Sequence, residues 1–190
     1  MSDNPFIVGI GGTTRRDSTT ERALRLALAA CARRGAETYA IVGDDMPPDP
    51  YDPQRAERSH QAQALVEACR KADGIVIATP SYHGGISGLI KNAIDYVEDL
   101  RDDARPYFDQ RAVGLIVSAA GTQQLGSTMT SLRTIVHALR GWPTPYSAQI
   151  NSSNSPFHQD GSTKDQTVAD ALDLIAEQVM MFAEMVRQRS

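Results

Sequence analysis

The chain has 190 residues, 41% hydrophobic and 22% charged, with a net charge of −4. That balance is ordinary for a globular protein and leaves no basic face for duplex nucleic acid. Only two cysteines occur, Cys31 and Cys69, and the four histidines show no metal-ligand spacing, so neither a disulfide framework nor a protein-ligated metal is predicted.

Phe6 to Ile10 reads as a short buried strand, and the amphipathic pattern of residues 18–34 as the helix that follows it. Between them lies G-G-T-T-R-R-D-S-T-T-E, Gly11 to Glu21. Ser18 and Glu21 have the spacing of a capping box, so Ser18 serves the helix whatever else it does. A loop of small donors feeding a helix N-terminus builds an anion site, since free backbone N–H groups and the positive end of the helix dipole meet there. Thr13, Thr14, Ser18, Thr19 and Thr20 add hydroxyls, and Arg15 and Arg16 add charge. The dinucleotide fingerprint fails here because Thr14 stands at its third glycine, and no Gly-Lys pair supplies a P-loop. A mononucleotide phosphate is the better occupant.

Thr38 to Val42 forms a second strand, and Gly43 to Pro53 follows it with four prolines and four aspartates. The prolines and the absence of a central glycine favour a rigid surface segment over a calcium loop. A helix over residues 56–72 leads to a third strand, Gly74 to Ala78. Thr79-Pro80-Ser81-Tyr82-His83-Gly84-Gly85 then turns out over the sheet edge. Taken alone, Tyr82 and His83 also read as a loop aromatic and a surface imidazole. A helix over 86–100, a fourth strand at Ala112 to Val117 and the small-residue turn Ser118 to Gly126 come next. A helix over 126–140, a weaker fifth strand at Tyr146 to Ile150, a polar loop at Asn151 to Thr163 and a helix over 166–188 close the chain. That loop suits a lid or a partner contact, with a plain linker as the default.

Strands alternating with helices predict one α/β domain over residues 1–190. Its doubly wound five-stranded parallel sheet has flavodoxin-like order 2-1-3-4-5 and helices on both faces. The loops after strands one, three and four then form one pocket. No apolar run is long enough to cross a membrane, and the start M-S-D-N-P lacks a signal-peptide pattern, which predicts a cytoplasmic protein.

Two motifs resemble the NAD(P)H-dependent FMN reductase family, flavodoxin-like proteins that include quinone, azo-dye and chromate reductases. G-S-x-R-x-x-S is matched by Gly12 to Ser18, with Thr13 for serine. T-P-x-Y-x-x-S-x-x-G-x-x-K-N-x-x-D is matched at Thr79, Pro80, Tyr82, Gly88, Lys91, Asn92 and Asp95. Gly85 and Ile86 depart from it, and His83 stands where asparagine is common. The similarity covers residues 6 to 150. It implies FMN phosphate contacts from Thr13, Arg15, Ser18 and Thr20. It implies ring contacts from Pro80, Ser81, Tyr82, His83 and Gly84, with Ser118, Gly121 and Thr122 on the far side. It further implies NAD(P)H as co-substrate and no catalytic side chain, because the cofactor carries the hydride. Electrons pass on to free flavin, a quinone or another small acceptor, and a flavin-dependent monooxygenase is a possible recipient of reduced FMN. A homodimer or homotetramer is implied, with the helix after Gly88 and the Tyr96–Asp99 end as its surface. Lys91, Asn92 and Asp95 read as structural or oligomer residues. A flavodoxin-like electron carrier and a flavin-free interaction domain are the rival readings.

Overall fold

Strand-forming runs of β-branched residues with small residues between them determine how helices and sheet meet. The computed structural model describes residues 4–189. The first three residues of the M-S-D-N-P start and Ser190 lie outside it. Strands β1 (Phe6–Gly11), β2 (Glu37–Val42), β3 (Gly74–Tyr82), β4 (Gly85–Ile86), β5 (Ala112–Ala119), β6 (Trp142–Pro143) and β7 (Ala148–Asn151) form one sheet. Helices α1 (Thr19–Arg33), α2 (His60–Lys71), α3 (Gly88–Asp95), α4 (Leu125–Ala138) and α5 (Gln166–Arg187) cover it. The order is β2-β1-β3-β5-β6, and β7 also pairs with β5. All pairings are parallel except the short β3–β4 hairpin.

The sheet therefore has seven strands where five were predicted. Beside β5, Pro143 and Pro145 break the ladder, because proline donates no N–H. Trp142–Pro143 pairs with the start of β5 and Ala148–Asn151 with its end. Tyr146, expected to open the fifth strand, lies in the gap, where its N–H donates to Gln178 Oε1 at 3.0 Å.

The two sheet faces differ in kind. Val8, Ile10, Ile75, Ile77 and Leu115 pack with residues of α2, α3 and α4 in one cluster. On the opposite face glycines recur, and α1 and α5 lie close against them. A Cβ on Gly9 would sit 2.6 Å from Leu28, one on Gly74 2.7 Å from Val179, and one on Gly114 2.4 Å from Ile175. The helix–strand contact that the missing fingerprint glycine would have provided is supplied from within the strands.

Caps explain where helices begin. Ser18, Ser59 and Ser87 each accept an N–H three residues on, and Asp165 accepts those of Thr167 and Val168. Hence α2 starts at His60, not at 56. Tyr96 and Val97, expected at an exposed oligomer surface, are buried instead. The helix after Gly88 turns inward at its end as a 3-10 turn, Tyr96–Leu100, and its side chains fill the core. Asn92 is a peg. It accepts the Tyr51 N–H and donates to the Asp49 carbonyl, both at 2.8 Å, which fastens the proline-rich segment to α3. Among the described residues no group of acids, histidines or cysteines gathers as a metal site, and no helix is long and apolar enough to cross a membrane.

Arg111 is fully buried at the start of β5, with no carboxylate bound to it among the described residues. Its guanidinium donates to the carbonyls of Arg70, Ala72, Tyr107 and Asp109 at 2.8–3.2 Å. Two of these carbonyls end α2, where the helix dipole favours a cation. Burial lowers Arg111 to about 10, which leaves it charged at neutral pH.

Cys31 and Cys69 are buried free thiols, and burial pushes both up to about 12 from 9.0. Thiol reagents should therefore label the folded protein at neither site at pH 8, and both sites once it unfolds. The unfolded chain ionises above 9.0 while the folded one does not, so stability should fall as pH rises from 9 toward 12. Rapid labelling of the native protein would contradict this burial.

Candidate functional site

The carboxyl ends of β1, β3 and β5 converge on one cleft of about 440 Å³, within the usual range of small-molecule sites (about 300–1,000 Å³). Its lining comes from Thr13, Arg15, Ser18, Thr19 and Thr20 on the first loop, and Pro80, Ser81 and Tyr82 after β3. Ser118, Ala119, Ala120, Gly121, Gln123 and Gln124 follow β5, and Ser152 follows β7.

The first loop is held in shape by its own side chains. Gly12 has φ +91°, a region that favours glycine. Thr13 Oγ1 accepts the Arg15 N–H at 3.1 Å and donates to its carbonyl at 3.0 Å. Ser18 Oγ takes the Glu21 N–H, and Glu21 Oε2 takes that of Asp17, one residue before the capping-box partner. Helix geometry leaves the Thr19 and Thr20 N–H groups without intrahelical partners. The two arginines part company. Arg16 pairs with Asp44 at 2.8 Å, and that hydrogen bond raises its pKa. Arg15 lines the cleft and makes no ion pair among the described residues.

The second loop is a two-residue hairpin turn. Tyr82 pairs with Gly85, and between them His83 and Gly84 have φ +53° and +81°. Positive φ at both central positions is the I′ pattern, which suits asparagine or histidine followed by glycine. His83 thus stands where asparagine is common for a backbone reason, and neither it nor Gly84 lines the cleft. Tyr82 does line it, at the mouth and 56% exposed. Behind the hairpin, Ser81 Oγ meets Thr128 Oγ1 at 2.7 Å and Ser127 Oγ donates to the Gly84 carbonyl at 3.2 Å, tying this loop to α4.

Of the twelve residues read from the sequence, nine meet at the cleft; His83, Gly84 and Thr122 do not. Thr122 is exposed and its carbonyl accepts the Leu125 N–H at 3.2 Å, starting α4. Beyond those nine, the lining also takes in Thr19, Ala119, Ala120, Gln123, Gln124 and Ser152, which sequence reading had not named as contacts. The loop after β7 carried the signal for Ser152, being polar and long, but it is no plain linker. Phe157 packs against the face that holds α1 and α5, Arg22 donates to the His158 carbonyl, and Ser153 to that of Ala120.

The chemistry of this lining is asymmetric. One end offers a free guanidinium, first-turn N–H groups and hydroxyls, with no carboxylate among the lining residues. The other end is small, uncharged and partly backbone, with an aromatic ring at its mouth. A ligand anionic at one end and flat at the other fits this donor set, and FMN is such a ligand.

The class follows from solved structures. The chain has a flavodoxin-like α/β fold, superposing on a flavodoxin, WrbA-like protein from Agrobacterium tumefaciens (TM-score 0.63, 17% identity, 99% of this chain and 100% of that one). It superposes also on the flavoenzyme NAD(P)H:(acceptor) oxidoreductase from Paracoccus denitrificans (TM-score 0.72, 18% identity, 95% and 98%). Residues 5–155 match the NADPH-dependent FMN reductase family, and the chain belongs to that family. It is 32% identical over 110 residues to the FMN-dependent NADPH-azoreductase of Staphylococcus aureus, 58% of this chain and 55% of that protein. The match thus spans about half the length of the curated relatives it reaches.

Proposed function

We propose that the protein is an NAD(P)H-dependent FMN oxidoreductase that passes electrons from a nicotinamide to free flavin, a quinone or an azo compound. The observation that carries this reading is the cleft's division into a donor-rich end around Arg15 and an uncharged end beside Tyr82. FMN bound there supplies the redox chemistry, accepting hydride and passing electrons on. The chain's own residues bind and orient. Thr13, Arg15, Ser18 and Thr20 hold the phosphate, while Pro80, Ser81, Tyr82, Ser118 and Gly121 frame the ring. His83 and Gly84 shape the hairpin that presents Tyr82, and Thr122 starts the helix behind it. The azoreductase relative favours an azo acceptor over a pure electron-carrier role.

We take residues 1–190 as one domain, since α5, beyond the family match, packs on α1 and completes the glycine-lined face. Two buried free thiols accord with a cytoplasmic location. A homodimer or tetramer of dimers accords with exposed Trp142, Met181 and Met185. A flavin-dependent monooxygenase is the partner class this reading allows.

Mixing the FMN-loaded protein with NADH or NADPH without oxygen should bleach its visible absorbance without any other protein present. Persistent colour with both nicotinamides would sink the reductase reading and leave the carrier. Tyr82→Ala should slow that bleaching about tenfold by loosening ring alignment at the mouth. FMN affinity should hardly change, because the phosphate anchor is untouched. Equal losses in rate and affinity would show that Tyr82 only binds.

A further inference from the structure

Two buried hydroxyl pairs cross the floor of the cleft, and counting their protons separates them. Ser81 Oγ lies 2.7 Å from Thr128 Oγ1 and also reaches the Gln124 carbonyl at 3.5 Å. That pair can place both of its protons within the protein. Thr20 Oγ1 lies 2.6 Å from Ser118 Oγ, and among the described residues neither hydroxyl has a further partner. Thr20 is 2% and Ser118 4% exposed, and both line the cleft. Two O–H groups sharing one hydrogen bond leave one proton over, and a buried donor seeks an acceptor. The acceptor has to come from what the cleft binds.

We infer that Ser118 is a positioning residue for the phosphate end: it donates to Thr20, and Thr20 donates the remaining proton to a phosphate ester. The direction follows from charge. Thr20 stands in the first turn of α1, beside unpartnered N–H groups and Arg15, where an anion that only accepts hydrogen bonds is favoured. Thr20 must then be the donor to that anion, so its oxygen accepts from Ser118. Ser118, near the end of β5 and assigned to the ring by resemblance, thus acts on the phosphate end through Thr20. This rests on the FMN reading above and adds to it a link between β5 and phosphate recognition.

The test compares FMN with riboflavin, measured as dissociation constants by flavin fluorescence quenching. Ser118→Ala should weaken FMN binding about tenfold more than it weakens riboflavin binding. Thr20→Val should collapse the same preference, and adding Ser118→Ala to it should cost nothing more, because Ser118 works through Thr20. Ser118→Thr, which keeps the hydroxyl, should restore the preference. If Ser118→Ala fails to fold, Ser118→Cys keeps the volume, weakens the donor and carries the same comparison. Equal weakening of FMN and riboflavin would place Ser118 at the ring alone and overturn the proposal, as would additive losses in the double variant. Wild-type protein that binds no flavin would overturn this proposal and the FMN reading together.

Discussion

Arg111→Met should lower the free energy of unfolding by about 3–5 kcal/mol, the cost of leaving buried carbonyls without the donor that serves them. Four backbone carbonyls lose a donor at once, from the end of α2 and from the turn before β5. Each orphaned buried acceptor costs about 1–3 kcal/mol, tempered where another donor remains, as Arg105 does for the Arg70 and Ala72 carbonyls. For a chain of this size the loss corresponds to a fall in Tm of about 6–20 °C. Arg101→Met is the control, since Arg101 is exposed and, among the described residues, forms ion pairs only with its neighbours Glu98 and Asp102. Its effect should stay within about 0.5 kcal/mol. Arg111 lies at the opposite end of β5 from the cleft, so flavin affinity below the melting transition should be unchanged. A loss under about 1 kcal/mol for Arg111→Met would mean that water or shifted neighbours satisfy those carbonyls.

Arg15→Ala should weaken FMN about ten- to a hundredfold, the equivalent of removing a charge-assisted hydrogen bond worth about 1.5–3 kcal/mol. Arg16→Ala should do little, because its guanidinium is spent on Asp44, two exposed groups whose ion pair contributes little. Neighbouring residues of the same type thus make the comparison internally controlled. Riboflavin, which lacks the phosphate, should bind the wild type and Arg15→Ala alike. Added salt should narrow the gap between FMN and riboflavin, as screening reduces an exposed cation's contribution. Equal sensitivity of the two arginines would assign their effect to general loop charge, and unchanged FMN binding in Arg15→Ala would remove the arginine from the site.

The loop after β1 is legible in the sequence because its signals are local. A strand, small donors, Ser18 at a cap and a helical pattern are each set within a few residues, and local chemistry decides them. The same holds for the turn after β3, where Pro80 and the glycines mark the exit from the sheet. The meeting of three loops at one edge also follows from sequence, since parallel strands joined by right-handed crossovers bring their carboxyl ends together.

Tertiary structure decided what depends on neighbours distant in sequence. The motif match singles out Arg15 over Arg16, and only the fold shows that Arg16 pairs with Asp44, 28 residues on. Only the pairing of Tyr82 with Gly85 shows that His83 occupies a left-handed turn position. Tyr96 and Val97 look like a helix end facing solvent until the chain bends inward and buries them. Ser152 joins the site only because β7 ends beside β5. Arg111 carries no signal at all in its own stretch, because its four acceptors lie on two separate segments. The Ser18 cap is a property of a short segment, so sequence determined it, whereas the Ser59 cap and the left-handed turn at His83 and Gly84 emerged only in the fold. Burial, ion-pair choice and the sharing of protons between hydroxyls are properties of contacts across the fold, and only the packed chain decides those.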